Sequence, residues 1–142
     1  MTLNQRGQAF ASYRLLIGAI MALLILAIIV GAITYLRTLE SDISAQKLAQ
    51  GVANAVKQPN GRILKLNDLA LAQGGYSANV FSRAMNLDEE CVYVDAVGST
   101  FESTGDAVIV KHRTKASVYA RCDIGSGACE IQCEVRFGAG FD

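Results

Sequence analysis

From Leu15 to Leu36 the chain reads LLIGAIMALLILAIIVGAITYL, without one charged residue. As an α-helix this stretch rises roughly 33 Å, against a bilayer hydrocarbon core of about 30 Å. Its large apolar side chains are Leu15, Leu16, Ile17, Ile20, Leu23, Leu24, Leu26, Ile28, Ile29, Val30, Ile33 and Leu36. At 100° per residue they fall on every side, the pattern of a helix surrounded by lipid or by other apolar helices. Gly18, Ala19, Ala22, Ala27, Gly31 and Ala32 are small and permit close helix approach in lipid, although no strict GxxxG pair occurs.

Past Arg37 the pattern changes without a break. Leu36, Leu39, Ile43, Leu48, Val52 and Val56 recur at helical spacing, with charged and amide residues between them. Gly51 weakens this amphipathic part slightly, and Pro59 followed by Asn60-Gly61 stops it. The pattern predicts one helix from about Ala9 to Lys57, roughly 73 Å long and well beyond what a bilayer needs.

Residues 62–75 fit either a short strand and turn or a helical stretch. Ser77 is placed to cap a short helix over ANVFSRAMN, with Val80, Phe81 and Met85 inward. Strands are predicted at CVYVDAV, DAVIVKHR, KASVYARC and CEIQCEVRF. The last alternates over nine residues, with Cys129, Ile131, Cys133, Val135 and Phe137 on one face. IGSG reads as the hairpin turn between the last two strands. Lys115 and Arg121 share a face type with Glu130 and Glu134, which suits cross-strand ion pairs. The layout is α+β: residues 1–7 a short polar tag, 8–58 a stalk helix, and 59–142 a small antiparallel sheet head.

Lys plus Arg and Asp plus Glu number 13 each, so there is no net charge and no basic footprint for nucleic acid. Arg6 and Arg14 precede the apolar run, and no acid does, which favours a cytoplasmic N-terminus and an extracytoplasmic head. A secretory signal peptide has a shorter apolar region and a small-residue cleavage site behind it. HExxH, phosphate-loop and GxSxG motifs are missing. His112 sits between Lys111 and Arg113 as a strand-end residue, and Asp88-Glu89-Glu90 reads as a solvated turn. Neither catalysis nor a cofactor or metal is expected. Tyr76, Tyr93, Tyr119 and Phe141 read as scattered aromatics, more in keeping with core than with one adhesive patch.

Cys91, Cys122, Cys129 and Cys133 all lie beyond the apolar segment, and an even count in a small exported head predicts two disulfides. The spacing has no CxxC pair, which argues against zinc. The flanks of the IGSG turn favour Cys122–Cys129 with Cys91–Cys133. A Cys129–Cys133 bridge would span about 13 Å of extended strand, too far for a disulfide. Cys91–Cys129 with Cys122–Cys133 remains open.

Arg6-Gly7-Gln8 directly before an apolar helix, with Tyr13 and Leu15-Leu16 following, resembles the class III signal peptide of archaeal type IV pilin-like proteins. Gln8 and Tyr13 match that family's motif. Phe10, Ser12 and Arg14 stand where it carries Ser, Glu and Leu. The resemblance implies cleavage of the Gly7–Gln8 bond by a prepilin peptidase, with retention of the helix. It implies a precursor held in the membrane, then a homopolymeric surface filament built by a pilus assembly machinery, its heads exposed for adhesion. The alternative is a single-pass membrane-anchored extracytoplasmic binding protein that does not polymerise.

Overall fold

A computed structural model describes the backbone of residues 5–141 and the side chains of residues 11–141. Helix α1, Gln5–Val56, is uninterrupted over 52 residues. The chain divides into two units, one ending at Leu39 and the other beginning at Glu40. The second unit contains the last part of α1 and the head.

The head is α+β. Its strands are β1 Ile63–Leu71, β2 Gly74–Ser77, β3 Val92–Ala96, β4 Phe101–Ser103, β5 Ala107–Val110, β6 Thr114–Ile124 and β7 Ile131–Phe137. Helix α2, Ala78–Met85, follows β2, and a single 3-10 turn, Glu89–Cys91, precedes β3. Four strands form one sheet in the order β1-β6-β7-β3, and three form a second in the order β2-β5-β4. All pairings are antiparallel except β3 with β7, which is parallel. The ambiguous stretch 62–75 resolves into β1 and the start of β2. Strand β4 was not evident in the sequence.

The expected period-two patterns have a packing cause. Val118, Ala120 and Cys122 of β6 and Cys133, Val135 and Phe137 of β7 point to one face and are buried. The core is closed by Val94, Val108, Val110, Leu69, Leu71, Phe81 and Met85. Phe137 is central to it, with the rings of Tyr76, Phe81 and Phe101 around it at 5.4, 6.0 and 6.1 Å. Burying this apolar surface is the main favourable term for so small a head.

Two inward faces differ from expectation. In α2 the buried residues are Ala78, Phe81, Ser82 and Met85, whereas Val80 is 55% exposed. Val80 lies one residue off the i, i+3, i+4, i+7 row that the other four define. In α1 the buried residues are Ser44, Leu48, Gly51, Val52 and Ala55, while Ile43 is exposed. Small residues win this face because the sheet approaches closely. A Cβ on Gly51 would meet Leu66 Cδ1 at 2.5 Å.

Strand β1 carries an irregularity between Leu66 and Leu69, with Asp68 at φ 52°. Beyond it the buried backbone N–H of Ala70 donates to Ser44 Oγ at 3.0 Å, which ties strand to helix. α1 ends just before Pro59. The turn then passes through Gly61 at φ 75°, whose N–H donates to the Cys122 carbonyl at 2.9 Å.

The disulfides are Cys91–Cys129 and Cys122–Cys133, not the favoured Cys122–Cys129 and Cys91–Cys133. Strand β6 runs on to Ile124, and β7 begins only at Ile131. The connection is therefore longer than IGSG, and the register sets Cys122 directly opposite Cys133. Cys129 falls in that connection rather than in a strand, where it meets Cys91 at the 3-10 turn.

Candidate functional site

The surface that distinguishes this chain is the apolar part of α1. Leu15, Leu16, Ile17, Ile20, Leu23, Leu24, Leu26, Ile28, Ile29, Val30, Ile33 and Leu36 are all exposed, by 40–76%. Soluble monomers rarely show contiguous apolar patches beyond a few hundred Å². The mean hydropathy reaches 3.0, and none of that stretch is buried within the chain. This is one helix long and apolar enough to cross a membrane.

Its threonine hydroxyls are satisfied internally. Thr34 Oγ1 donates to the carbonyls of Val30 and Gly31 at 3.1 and 2.9 Å, and Thr38 Oγ1 donates to Thr34 at 3.0 Å. Such back-bonding leaves neither threonine hydroxyl in need of water, as hydrocarbon requires. A Cβ at Gly18 or Gly31 would meet nothing within 4 Å. Nothing inside the chain demands glycine at either position, in contrast to Gly51. Gly7 and Gln8, the bond singled out for cleavage, lie in the first turns of α1, and their side chains are outside the described residues.

Where α1 joins the head, Glu40 accepts from Lys115 Nζ at 2.6 Å, with Arg113 at 3.6 Å. The Lys115 hydrogen bond and charge hold the Glu40 carboxyl below its ordinary range. Reciprocally, Glu40 raises Lys115. Lys115 thus pairs with the helix rather than with Glu130 or Glu134.

The outer face of the four-stranded sheet carries the expected Arg121–Glu134 cross-strand pair at 3.1 Å, and Arg136 joins the same carboxylate at 3.1 Å. Phe141 lies against both guanidinium groups at 4.6 and 4.9 Å. Tyr119 sits under Lys65 at 5.5 Å, Tyr76 packs on Phe137, and Tyr93 is half exposed. The four aromatics singled out in the sequence do not converge on one patch. His112 is exposed between β5 and β6. In the acidic turn, Glu89 Oε2 accepts from Asn79 Nδ2 at 3.0 Å. Among the described residues no three His, Cys, Asp or Glu side chains gather as a metal site would require.

No family model, curated protein or solved structure matches the chain.

The arrangement still has a physical meaning. An apolar N-terminal helix with a disulfide-bonded β head beyond it fits a membrane-anchored or surface protein. Two disulfides and no free thiol among the described cysteines suit a head in an oxidising compartment. Sequence reasoning missed Ser44 and Glu40. Ser44 was discoverable, because it lies on the i+4 row with Leu48 and Val52.

Proposed function

We propose that this chain is a structural subunit of a pilin-like surface filament. Leu15–Leu36 holds it in the membrane before assembly and forms the filament core afterwards. The observation that carries this reading is α1 itself, an all-round apolar helix that continues unbroken into a disulfide-closed head. A simple anchor needs only an apolar span, whereas the small residues Gly18, Ala22, Ala27 and Gly31 in this one also permit close packing against copies.

In lipid the helix satisfies its own backbone, so a subunit can wait there. Out of lipid the same surface must be buried. At about 25 cal/mol per Å² the gross gain relative to water is tens of kcal/mol per stalk. Lost lipid contacts offset much of it, so extraction calls for a driven assembly machine. The Gly7–Gln8 bond is the proposed cleavage point, and the heads are the part left to adhere.

The test is the intact mass of protein sheared from the cell surface, with electron microscopy of the same fraction. Filaments built of a chain starting at Gln8 support the proposal. A full-length chain that stays with the membrane and forms no filament removes it, leaving a permanent single-pass anchor.

A further inference from the structure

The outer strands of the four-stranded sheet are β1 on one side and β3 on the other. Ile63, Arg121, Glu134 and Tyr93 form one row across it. The turn before β1 and the turn before β3 therefore lie at the same end of the sheet, on opposite sides, with three strand spacings or about 14 Å between them. Their surroundings differ in charge. Along β1, two hollows that share Asn54 and Leu64 follow the seam with the head segment of α1. Their cations are Lys47, Lys57, Arg62 and Lys65, and no acid lines them. Around the turn before β3, two hollows that share Asp88 and Cys129 carry Asp88, Glu89, Glu90, Asp106 and Glu130, and no cation lines them. All nine charged side chains belong to exposed residues. Lys65 lies over the Tyr119 ring and Glu89 accepts from Asn79. Among the described residues none of the others is in an ion pair.

We infer that the cationic β1 side of one head lies against the acidic β3 side of a second copy of this chain. The inference rests on the filament reading. Neither side can face its own kind, because like charges placed together are costly. Copies must then meet head to tail, and a contact of that type runs on as a helical array unless the rotation closes a ring. Both surfaces come from one chain with no net charge, so a second copy supplies the complement that each side needs. Other nearby charges do not cancel the match. Asp68, the acid of β1, acts on Lys115, and Asp42 of α1 lines neither cationic hollow. Asp95 of β3 lies 3.8 Å from Arg136 of β7. Arg83 is exposed on α2 and lines neither acidic hollow. Exposed ion pairs are individually weak and screened by salt. Their part is to select which sides meet and in what register, while the apolar stalks supply the cohesion.

The experiment treats sheared filaments with a carbodiimide, which joins an amine to a carboxylate only where the two touch, and maps the linked peptides in the monomer and dimer bands. The expected result is a link in the dimer, and not in the monomer, between Lys47 or Lys57 and Asp88, Glu89 or Glu90. Charge reversal gives a second reading. Lys57→Glu with Arg62→Glu, and separately Glu90→Lys with Glu130→Lys, should each lower the filament yield several-fold. All four substitutions together should restore it, because every copy then again presents two complementary sides. A folding lesion would not be repaired in that way. Filaments whose dimers lack such links overturn the contact and leave the filament reading standing. Full yield from each reversed pair, or no recovery when the pairs are combined, also overturns it. An unaltered chain that forms no filament removes the filament reading and this inference together.

Discussion

Cys122 of β6 and Cys133 of β7 stand directly across from one another, Cα atoms 4.1 Å apart, and are joined by a disulfide with almost no solvent exposure. Cys91–Cys129 instead ties the 3-10 turn to the β6–β7 connection, and Cys129 is partly exposed. Exchange needs access of an attacking thiolate. Graded reduction followed by alkylation should therefore open Cys91–Cys129 first, and a two-thiol species labelled at 91 and 129 should accumulate. Simultaneous labelling of all four cysteines would contradict this order.

The two bridges also differ in loop length, with sequence separations of 38 and 11. Chain-entropy arguments assign about 4 kcal/mol to the longer loop and about 3 to the shorter. Paired Cys→Ala variants at 91/129 and 122/133 should both lower the denaturant midpoint of the head. The 122/133 variant additionally leaves a core cavity.

The buried Ala70 N–H donates to Ser44 Oγ. Ser44→Ala removes that acceptor, at a cost of about 1–3 kcal/mol. Thermal melts of the full chain in detergent should show a clear fall in Tm. An unchanged Tm would mean that water reaches Ala70.

Glycine has two different roles in α1. Gly51→Leu drives a side chain into Leu66 and should destabilise the head by about 1–3 kcal/mol. Combination with Leu66→Ala should recover part of the loss. Gly18→Ala and Gly31→Ala meet open space and should leave the melt of the head unchanged. If those glycines serve close helix approach, the alanine variants should instead lower the yield of filaments.

The Glu40–Lys115 pair makes stability depend on pH at both extremes. Glu40 is lowered from 4.5, so its contribution is full above that value and is lost as pH falls through the folded-state value. Lys115 is raised from 10.5, so its contribution is full below that value and is lost as pH rises through the folded-state value. Glu40→Gln should lower Tm slightly at neutral pH, and the difference should vanish in acid. The effect should shrink with salt, because both groups are exposed.

Much of the head was legible where one physical constraint dominated. Val118, Ala120 and Cys122 alternate because one sheet face is buried, and that period survives in the sequence. The apolar run could be read because 22 residues without a charge call for apolar surroundings on every side. The disulfide pairing differs from expectation because the connection runs past IGSG, so Cys129 lies outside β7 rather than across from Cys122 at the hairpin's edge. Register depends on where a connection ends, and Gly125 to Glu130 carry no signal of that. Ile43 was assigned inward because hydrophobicity was weighed above size. The structure uses Ser44 and Gly51 there, since a close helix–sheet approach rewards small side chains. The Glu40 pairing with Lys115 is long-range and left no local trace.

Both covalent crosslinks lie between Cys91 and Cys133, and neither reaches α1 or β1. Tension drawn through α1 would thus be borne without covalent help by the Glu40 ion pairs, the Ser44 bond, the apolar seam around Leu48 and Val52, the β1–β6 and β2–β5 ladders and the packing of α2. Only with all of these lost could residues 40–90 pay out as slack of up to about 180 Å, while the segment between the cysteines stayed closed. The covalent reserve of the head is confined to its second half, and everything nearer the stalk depends on non-covalent bonds alone.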